Sequence, residues 1–501
     1  MEFDARAVAG GATLDAQVCV VGSGPAGLTV ALELARADVE VVLLESGAPW
    51  RDPHAQVLND GAIVGGQYAS LRQTRHRRVG GTPNVWNTGF EGRSGWAKHL
   101  PLDPADFAPG TEGGWPFGRE HLEPFYHRAQ AFCGVEGSWD PAAVPRSGRA
   151  PFAFPQGTLV TGLYRFGDRT RWTRDHVREA RTLGSLRLIH SATALPFVLG
   201  RDGGRVAEVP VAGAGGNRFA VRAGRVVLAC GAIETARLLL VTGADDAGPR
   251  APWHEHGLVG LWFNEHPRDY TCALPEAGSR LVDAAGFYDA FRTEDDSVVC
   301  GRLGPSAEAL GAGVPNFGIT LLPSVRPGFL PALYRRLRGG GAEPIGHGWS
   351  ELQAARAGYH GFRLVLNLEH VSLPEHRITL GRDRDRHGLP LPVLHWRWTG
   401  ADAVALERLR ERLRDWFGTA GFGKFQWARD SVPDPNGHHH AGTTRMHDDP
   451  RAGVVDADGR VHGTENLYVV GGATFPRTGF ANPVLTVVAM AERLSDHLLG
   501  V

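Results

Sequence analysis

The chain has 501 residues, with 53 Lys and Arg against 54 Asp and Glu. That length can bury more than one domain core, and the near-neutral charge gives no footprint for nucleic acid or a strongly acidic partner. Five scattered cysteines without C-x-x-C spacing, no basic-then-apolar start and no apolar run near the roughly 18 residues of a membrane span predict a soluble cytoplasmic protein with free thiols and no membrane partner.

Near the start, residues 17–21 form a short apolar run that reads as a buried parallel strand. The turn Gly22-Ser23-Gly24-Pro25-Ala26-Gly27 follows, then a helix over 28–36 with Leu28, Ala31, Leu32 and Ala35 on one face. A second strand over 39–44 ends at Glu45. Gly22 suits a tight turn, Gly24 lets backbone approach a pyrophosphate, and Gly27 lets the helix pack closely on the strand. The helix start offers N–H groups to phosphate. Glu45 falls near the roughly 20-residue spacing of an acid that holds a ribose diol. Together these predict dinucleotide binding, without separating FAD from NAD.

Residues 61–185 are rich in Gly, Pro, Trp and Arg, and are expected to be loops and short helices draped over a site, the best helix being 119–132. Residues 186–191 and 205–222 alternate like antiparallel strands. Residues 225–240 read as strand, turn at Gly231 and helix, by themselves a plain βα unit. The glycine run in 335–346 predicts a mobile loop or lid. Strands are expected over 361–369, 377–380 and 393–398. An amphipathic helix is expected over 402–417, with Val404, Leu406, Leu409 and Leu413 facing the core. A last helix is expected over 485–499.

The C-terminal part carries His438-His439-His440 before Gly442-Thr443, and Asn482 before Pro483. Three histidines could form a metal site, a solvated loop or a source of a base. Adjacent strand side chains point to opposite faces, so three cannot easily share one ion, and no Cys or carboxylate cluster joins them at ligand spacing. No metal is expected. A histidine with an ordinary pKa of roughly 6.5 suits proton abstraction, and an asparagine amide can hold a hydroxyl without adding charge.

With these pieces in this order, the chain resembles the glucose-methanol-choline (GMC) family of FAD oxidoreductases over nearly its whole length. Gly22–Glu45 resembles the family's FAD fingerprint, and Gly80-Gly81-Thr82-Pro83-Asn84-Val85-Trp86-Asn87 its flavin-side loop. Residues 227–240 resemble its second FAD strand and helix, and the stretch ending His266-Pro267 its G-x-x-x-x-x-H-P segment. Residues 367–380 look like a substrate-domain strand pair, and 453–476 with 482–486 the C-terminal FAD segment. The wording around Asn482 and Trp86 looks most like the pyranose oxidase and glycoside 3-oxidase branch.

The resemblance implies an α/β fold: a Rossmann-like FAD-binding domain plus a substrate domain with a mainly antiparallel sheet covered by helices. The expected FAD domain is discontinuous, 1–270 and 431–501, with loop or lid insertions over about 61–185. The expected substrate domain is 271–430. The position three residues before the Gly-Thr pair makes His439 the implied catalytic base, and Asn482 the second catalytic residue. Implied FAD contacts are Gly22, Gly24, Pro25, Ala26, Gly27, Glu45, Gly80, Gly81, Thr82, Asn84, Val85, Trp86, Asn87, Ala194, Gly231, Gly472, Ala473, Asn482, Pro483 and Thr486. Glu369, His370 and His440 are candidates for the substrate wall, and His266 is expected to be structural. Some family members attach FAD through a histidine of the flavin-side loop. Val85 aligns there, so noncovalent FAD is expected. The implied activity is oxidation of a secondary alcohol, a sugar or glycoside ring hydroxyl, with proton abstraction at His439, hydride transfer to flavin N5 and reoxidation by O2 or another acceptor. The alternatives are an oxidase acting on a non-sugar natural product and a non-redox lyase on the same fold.

Overall fold

The computed structural model describes residues 1–90, 93–111, 113–144, 150–243, 249–325 and 359–501. The expected lid at 335–346 lies outside these residues.

Two sheets position the site. In the first, the strand Thr13–Val21 lies parallel between Val41–Leu44 and Arg218–Leu228. Leu186–His190 and then Glu2–Asp4 extend the parallel order on one side, and Leu467–Val469 runs parallel to Arg218–Leu228 on the other. Leu186–His190 was expected to pair antiparallel; it pairs parallel, with the buried Val41–Leu44 on one side and the edge strand Glu2–Asp4 on the other. Val206–Gly213 does pair antiparallel with Arg218–Leu228. The strand Val41–Leu44 is wholly buried, which is why it reads as an unbroken apolar run.

The helix Pro25–Arg36 starts at the end of the Thr13–Val21 strand, with Pro25 in its first turn and Gly24 as its N-cap. Helix Val484–Leu499 packs against it and against Arg119–Cys133, so the C-terminal segment is built into the same layer as the N-terminal unit.

The second sheet is antiparallel. Among the described residues its order is Arg268–Leu274, Tyr359–Leu368, Phe317–Val325, Val298–Pro305, Leu159–Asp168, Arg93–His99 and Thr88–Phe90, with Phe291–Arg292 beside Val298–Pro305. Three of these strands come from 88–168, a span whose composition predicted loops and short helices. In Arg93–His99, Gly95, Ala97 and His99 turn to the buried face, while Trp96 and Lys98 line a cavity. The alternation is therefore of size rather than polarity, and a polar/apolar pattern does not register it.

Helix Gly400–Thr419 covers this sheet. It buries Leu406, Leu409, Leu413 and Phe417, whereas Val404 is 52% exposed. The 3.6-residue period explains the difference: 406, 409, 413 and 417 form one stripe, and 404 sits two residues off it on the far side. Arg377–Arg384, Pro390–His395 and Ala62–Val64 make a small third sheet. No described helix is long and apolar enough to cross a membrane.

Candidate active site

A cavity of about 880 Å³ opens where the parallel strands of the first sheet end. Val21, Leu44, Ala229 and Val470 line it, so it lies at the carboxyl ends of the strands, the usual ligand position in open α/β sheets. Its other wall is one face of the second sheet. Four strands each contribute an i, i+2 pair: Trp96 and Lys98, Arg268 and Tyr270, Thr320 and Leu322, Val365 and Asn367. Period-two pleating makes that wall.

At the nucleotide end, Glu45 is buried and bound on both oxygens. Oε2 accepts from the Ser23 N–H (3.0 Å) and hydroxyl (2.7 Å), and Oε1 accepts from the Gly47 N–H (2.7 Å). Burial raises its pKa against those hydrogen bonds. The Gly80 N–H donates to the Ser23 hydroxyl at 3.3 Å, and the Asn84 amide donates to Val79 O and Gly81 O, both at 2.9 Å. The 80–87 loop is thereby locked against the fingerprint turn. A Cβ on Gly24 would meet nothing within 4 Å; this backbone faces the open cavity.

The three histidines take three different sets of partners. His438 has φ 59°, a left-handed kink that breaks strand alternation. His440 Nε2 lies 3.0 Å from the Tyr68 hydroxyl, which donates to Glu265 Oε2 at 2.5 Å. The His439 N–H donates to Glu265 Oε1 (2.7 Å), His439 Nδ1 lies 2.9 Å from His266 Nδ1, and the Asn482 amide nitrogen lies 3.1 Å from His439 Nε2. An amide N–H can only donate, so Nε2 accepts from it; the His439 ring proton then sits on Nδ1 and is donated to His266. Burial first, then the charges of His266, Arg268, Lys98 and His438, holds His439 well below the ordinary 6.5. Burial and then Arg268 take His266 down to about 3. The pair is neutral near pH 7.

His266 was expected to be structural, yet it touches His439 directly. Glu265 and Tyr68 were not singled out, and they fix the histidine backbone. Burial raises Glu265 to about 7, against the hydrogen bonds from Tyr68, His266 and His439 that lower it. The G-x-x-x-x-x-H-P stretch was the available signal for Glu265 and His266; nothing local marks Tyr68.

The family model described as FAD dependent oxidoreductase matches residues 17–353, and that described as GMC oxidoreductase matches 374–491. The chain belongs to the GMC-type FAD-dependent oxidoreductases. Paromamine 6′-oxidase of Streptomyces fradiae is 27% identical over 96% of this chain and 91% of its own length. C-glycoside 3-oxidase of Arthrobacter globiformis is 36% identical over 112 residues, 22% of this chain and 21% of its own length. The crystal structure of pyridoxine 4-oxidase from Mesorbium loti matches with TM-score 0.57 at 18% identity, over 96% of this chain and 99% of that one, a likeness of fold.

The oxidoreductase has a cradle that fits FAD. The helix start at Pro25 has no side-chain cap, leaving N–H groups for a pyrophosphate beside bare Gly24, and Glu45 supplies the carboxylate at the second strand end. Gly22, Pro25, Ala26, Gly81, Thr82, Val85, Trp86 and Asn87 line the same cavity, as do Ala194, Gly231, Gly472, Asn482 and Pro483. Gly27, Gly80, Asn84 and Ala473 do not line it; they hold the turns that do.

Three expected contacts are displaced. Thr486 is buried on the other face of its helix, with its hydroxyl 2.8 Å from the Tyr126 hydroxyl, and Val484 and Val487, three residues apart on one face, line the cavity instead. Glu369 points away from the cavity to the 477–479 turn, accepting from the Gly479 N–H (3.0 Å) and Arg477 Nη2 (3.2 Å). His370 is buried against His376, with its Nε2 3.6 Å from Asp402. Both lie just past the strand Tyr359–Leu368, where the pleat no longer aims side chains at the cavity. His440 does line it.

Val85 lines the cavity at 50% exposure and offers no atom for a flavin bond. The FAD is expected to leave with the supernatant on acid precipitation; a yellow pellet would show a covalent link.

Proposed function

We propose that this oxidoreductase oxidises an alcohol carbinol of a sugar or glycoside to the carbonyl, with His439 as base and Asn482 as its partner. The observation that carries the reading is the placing of the His439 ring, whose Nε2 lies 3.1 Å from the Asn482 amide at the cavity while its Nδ1 lies 2.9 Å from His266 Nδ1. FAD, when bound, supplies the hydride acceptor. On substrate binding the Asn482 amide turns from His439 Nε2 to the substrate hydroxyl, which frees the Nε2 lone pair. The hydroxyl proton passes to His439 Nε2, and the resulting imidazolium keeps its Nδ1–H on His266 Nδ1. Glu265 holds the His439 backbone still throughout. The names paromamine 6′-oxidase and C-glycoside 3-oxidase support a sugar-like substrate.

Incubation with a panel of glycosides is expected to give products lighter by two hydrogens in mass spectrometry. Products formed by splitting the substrate, with no loss of hydrogen, would support lyase chemistry instead.

The lowered His439 pKa gives a pH dependence with a definite sign. The base is active when neutral, so the rate is full above its folded pKa and is lost as pH falls through it. The acid limb of flavin reduction against pH is therefore expected below 6.5. A limb centred at or above 6.5 would assign the titration to another group.

A further inference from the structure

Glu369 does not line the cavity, but it reaches the turn that leads to Asn482. It stands on a firm mount. The strand Tyr359–Leu368 ends one residue before it, Leu368 pairs with Phe317, and the Glu369 N–H extends that ladder by donating to Asn316 O at 3.0 Å. Its Oε1 accepts from the Gly479 N–H at 3.0 Å, and its Oε2 accepts from Arg477 Nη2 and from Asn316 Nδ2, both at 3.2 Å. Gly479 is buried, and among the described residues its N–H has no other hydrogen-bond partner.

Asp106, on the short helix Pro104–Phe107, closes the other side of Gly479. A Cβ on Gly479 would lie 2.4 Å from Asp106 Oδ2, and Asp106 Oδ1 accepts from the same Asn316 nitrogen at 2.5 Å. Burial, then the charge of Glu369, pushes the Asp106 carboxyl up to about 8, so near pH 7 it packs on Gly479 uncharged. The next residue, Phe480, is buried with its ring against Gly318 and 4.1 Å from the Arg302 guanidinium. No regular element lies between this clamp and Asn482, whose amide nitrogen is 3.1 Å from His439 Nε2. Packing around Phe480 confines the turn, but only an acceptor satisfies a buried N–H. Without Glu369 the Gly479 N–H must move to find one, and Asn482 moves with it. A shift of about 1 Å at groups that position a substrate can cost about 10²-fold in rate.

We infer that Glu369 is a positioning residue for the oxidation: by holding the Gly479 N–H it fixes the turn on which Asn482 stands, and so the place where Asn482 meets the substrate hydroxyl. This role rests on the one proposed for Asn482. It ties the C-terminal turn beside His439 to the end of a strand in the second sheet.

Two substitutions in the holoenzyme separate the Gly479 bond from the ion pair. Glu369→Asp keeps the charge but draws the acceptor back by one methylene group. Arg477→Met removes the ion pair and leaves the Gly479 bond. The probes are methyl glucoside, methyl galactoside and methyl xyloside, mixed anaerobically with each yellow variant. Glu369→Asp is expected to lower the limiting rate of flavin reduction by roughly 10- to 100-fold, while the half-saturating concentration moves little. Arg477→Met should stay near wild type. On top of Asn482→Ala, Glu369→Asp should cost nothing further, because residues that act through one another are not additive. A wild-type rate in Glu369→Asp, an equal loss in Arg477→Met, or a penalty that adds in full to that of Asn482→Ala overturns the role. Crystal structures of the two holoenzymes give a readout that needs no substrate. The Asn482 amide is expected to stay at His439 Nε2 in Arg477→Met and to leave it in Glu369→Asp; an amide that has not moved in Glu369→Asp overturns the role. Should no glycoside bleach the wild-type flavin, alcohol oxidation of glycosides fails, while a displaced amide still upholds Glu369 as the residue that places Asn482. Bleaching with an unmoved amide does the reverse.

Discussion

Replacing His439 with alanine is expected to slow anaerobic flavin reduction by about 10²–10⁴-fold, the range of a positioned general base. An alcohol gives up hydride readily only as its O–H proton leaves, so loss of the acceptor atom raises the barrier of the chemical step itself. The His439 ring contacts Asn482 and His266, while its backbone is held by Glu265 through an N–H that alanine retains. The loop should therefore stay in place, and the variant should be purified yellow. Flavin content separates a lost base from a lost fold. Near wild-type reduction in a yellow variant would remove His439 from the role.

Gly27→Ala is expected to yield protein with little or no flavin and a lowered Tm. A Cβ there would sit 1.8 Å from the Gly22 carbonyl oxygen and 3.2 Å from the Ala229 side chain. The near partner is backbone of the fingerprint turn, which cannot rotate away as a side chain could. Overpacking of this kind costs about 1–3 kcal/mol or more, and the relief available is to push the Pro25–Arg36 helix off its strand, which opens the cradle. Gly24→Ala is the contrast. Its Cβ would touch no protein atom within 4 Å but would enter the space that backbone leaves for the pyrophosphate, so the apoprotein should fold normally and hold FAD poorly. Flavin absorbance per mole of protein and thermal unfolding of the two variants check both statements. Full flavin and an unchanged Tm in Gly27→Ala would contradict the packing account.

What the sequence made legible was what local geometry dictates. The fingerprint glycines, Glu45 and the buried strand Val41–Leu44 each follow from constraints a few residues long, and the structure brings Gly22, Gly24, Leu44 and Glu45 to one cavity. The proposed base was picked from the histidine run only through the family resemblance at Gly442-Thr443; the run alone could not say which ring meets Asn482. The residues that were missed owe their position to sheet assembly. Lys98 and Arg268 lie far apart in sequence, on strands separated by four others in the sheet, yet both line the one cavity. His266 was expected to be structural because nothing local shows that its ring meets His439. Glu369 and His370 were drawn toward the cavity by their place after a substrate-domain strand, but that strand ends at Leu368 and the pleat that would have aimed them ends with it. Val404 failed for a simpler reason: it is apolar and close in sequence to the buried stripe of its helix, yet faces the opposite side.

Anaerobic mixing of the holoenzyme with sugars, glycosides and glycoside acids in a stopped-flow spectrophotometer is the most direct measurement. The oxidised flavin band should bleach with at least one of these alcohols, and more slowly when the carbinol hydrogen is replaced by deuterium. A flavin that stays oxidised with every alcohol, while the enzyme still converts a substrate, would contradict alcohol oxidation at His439.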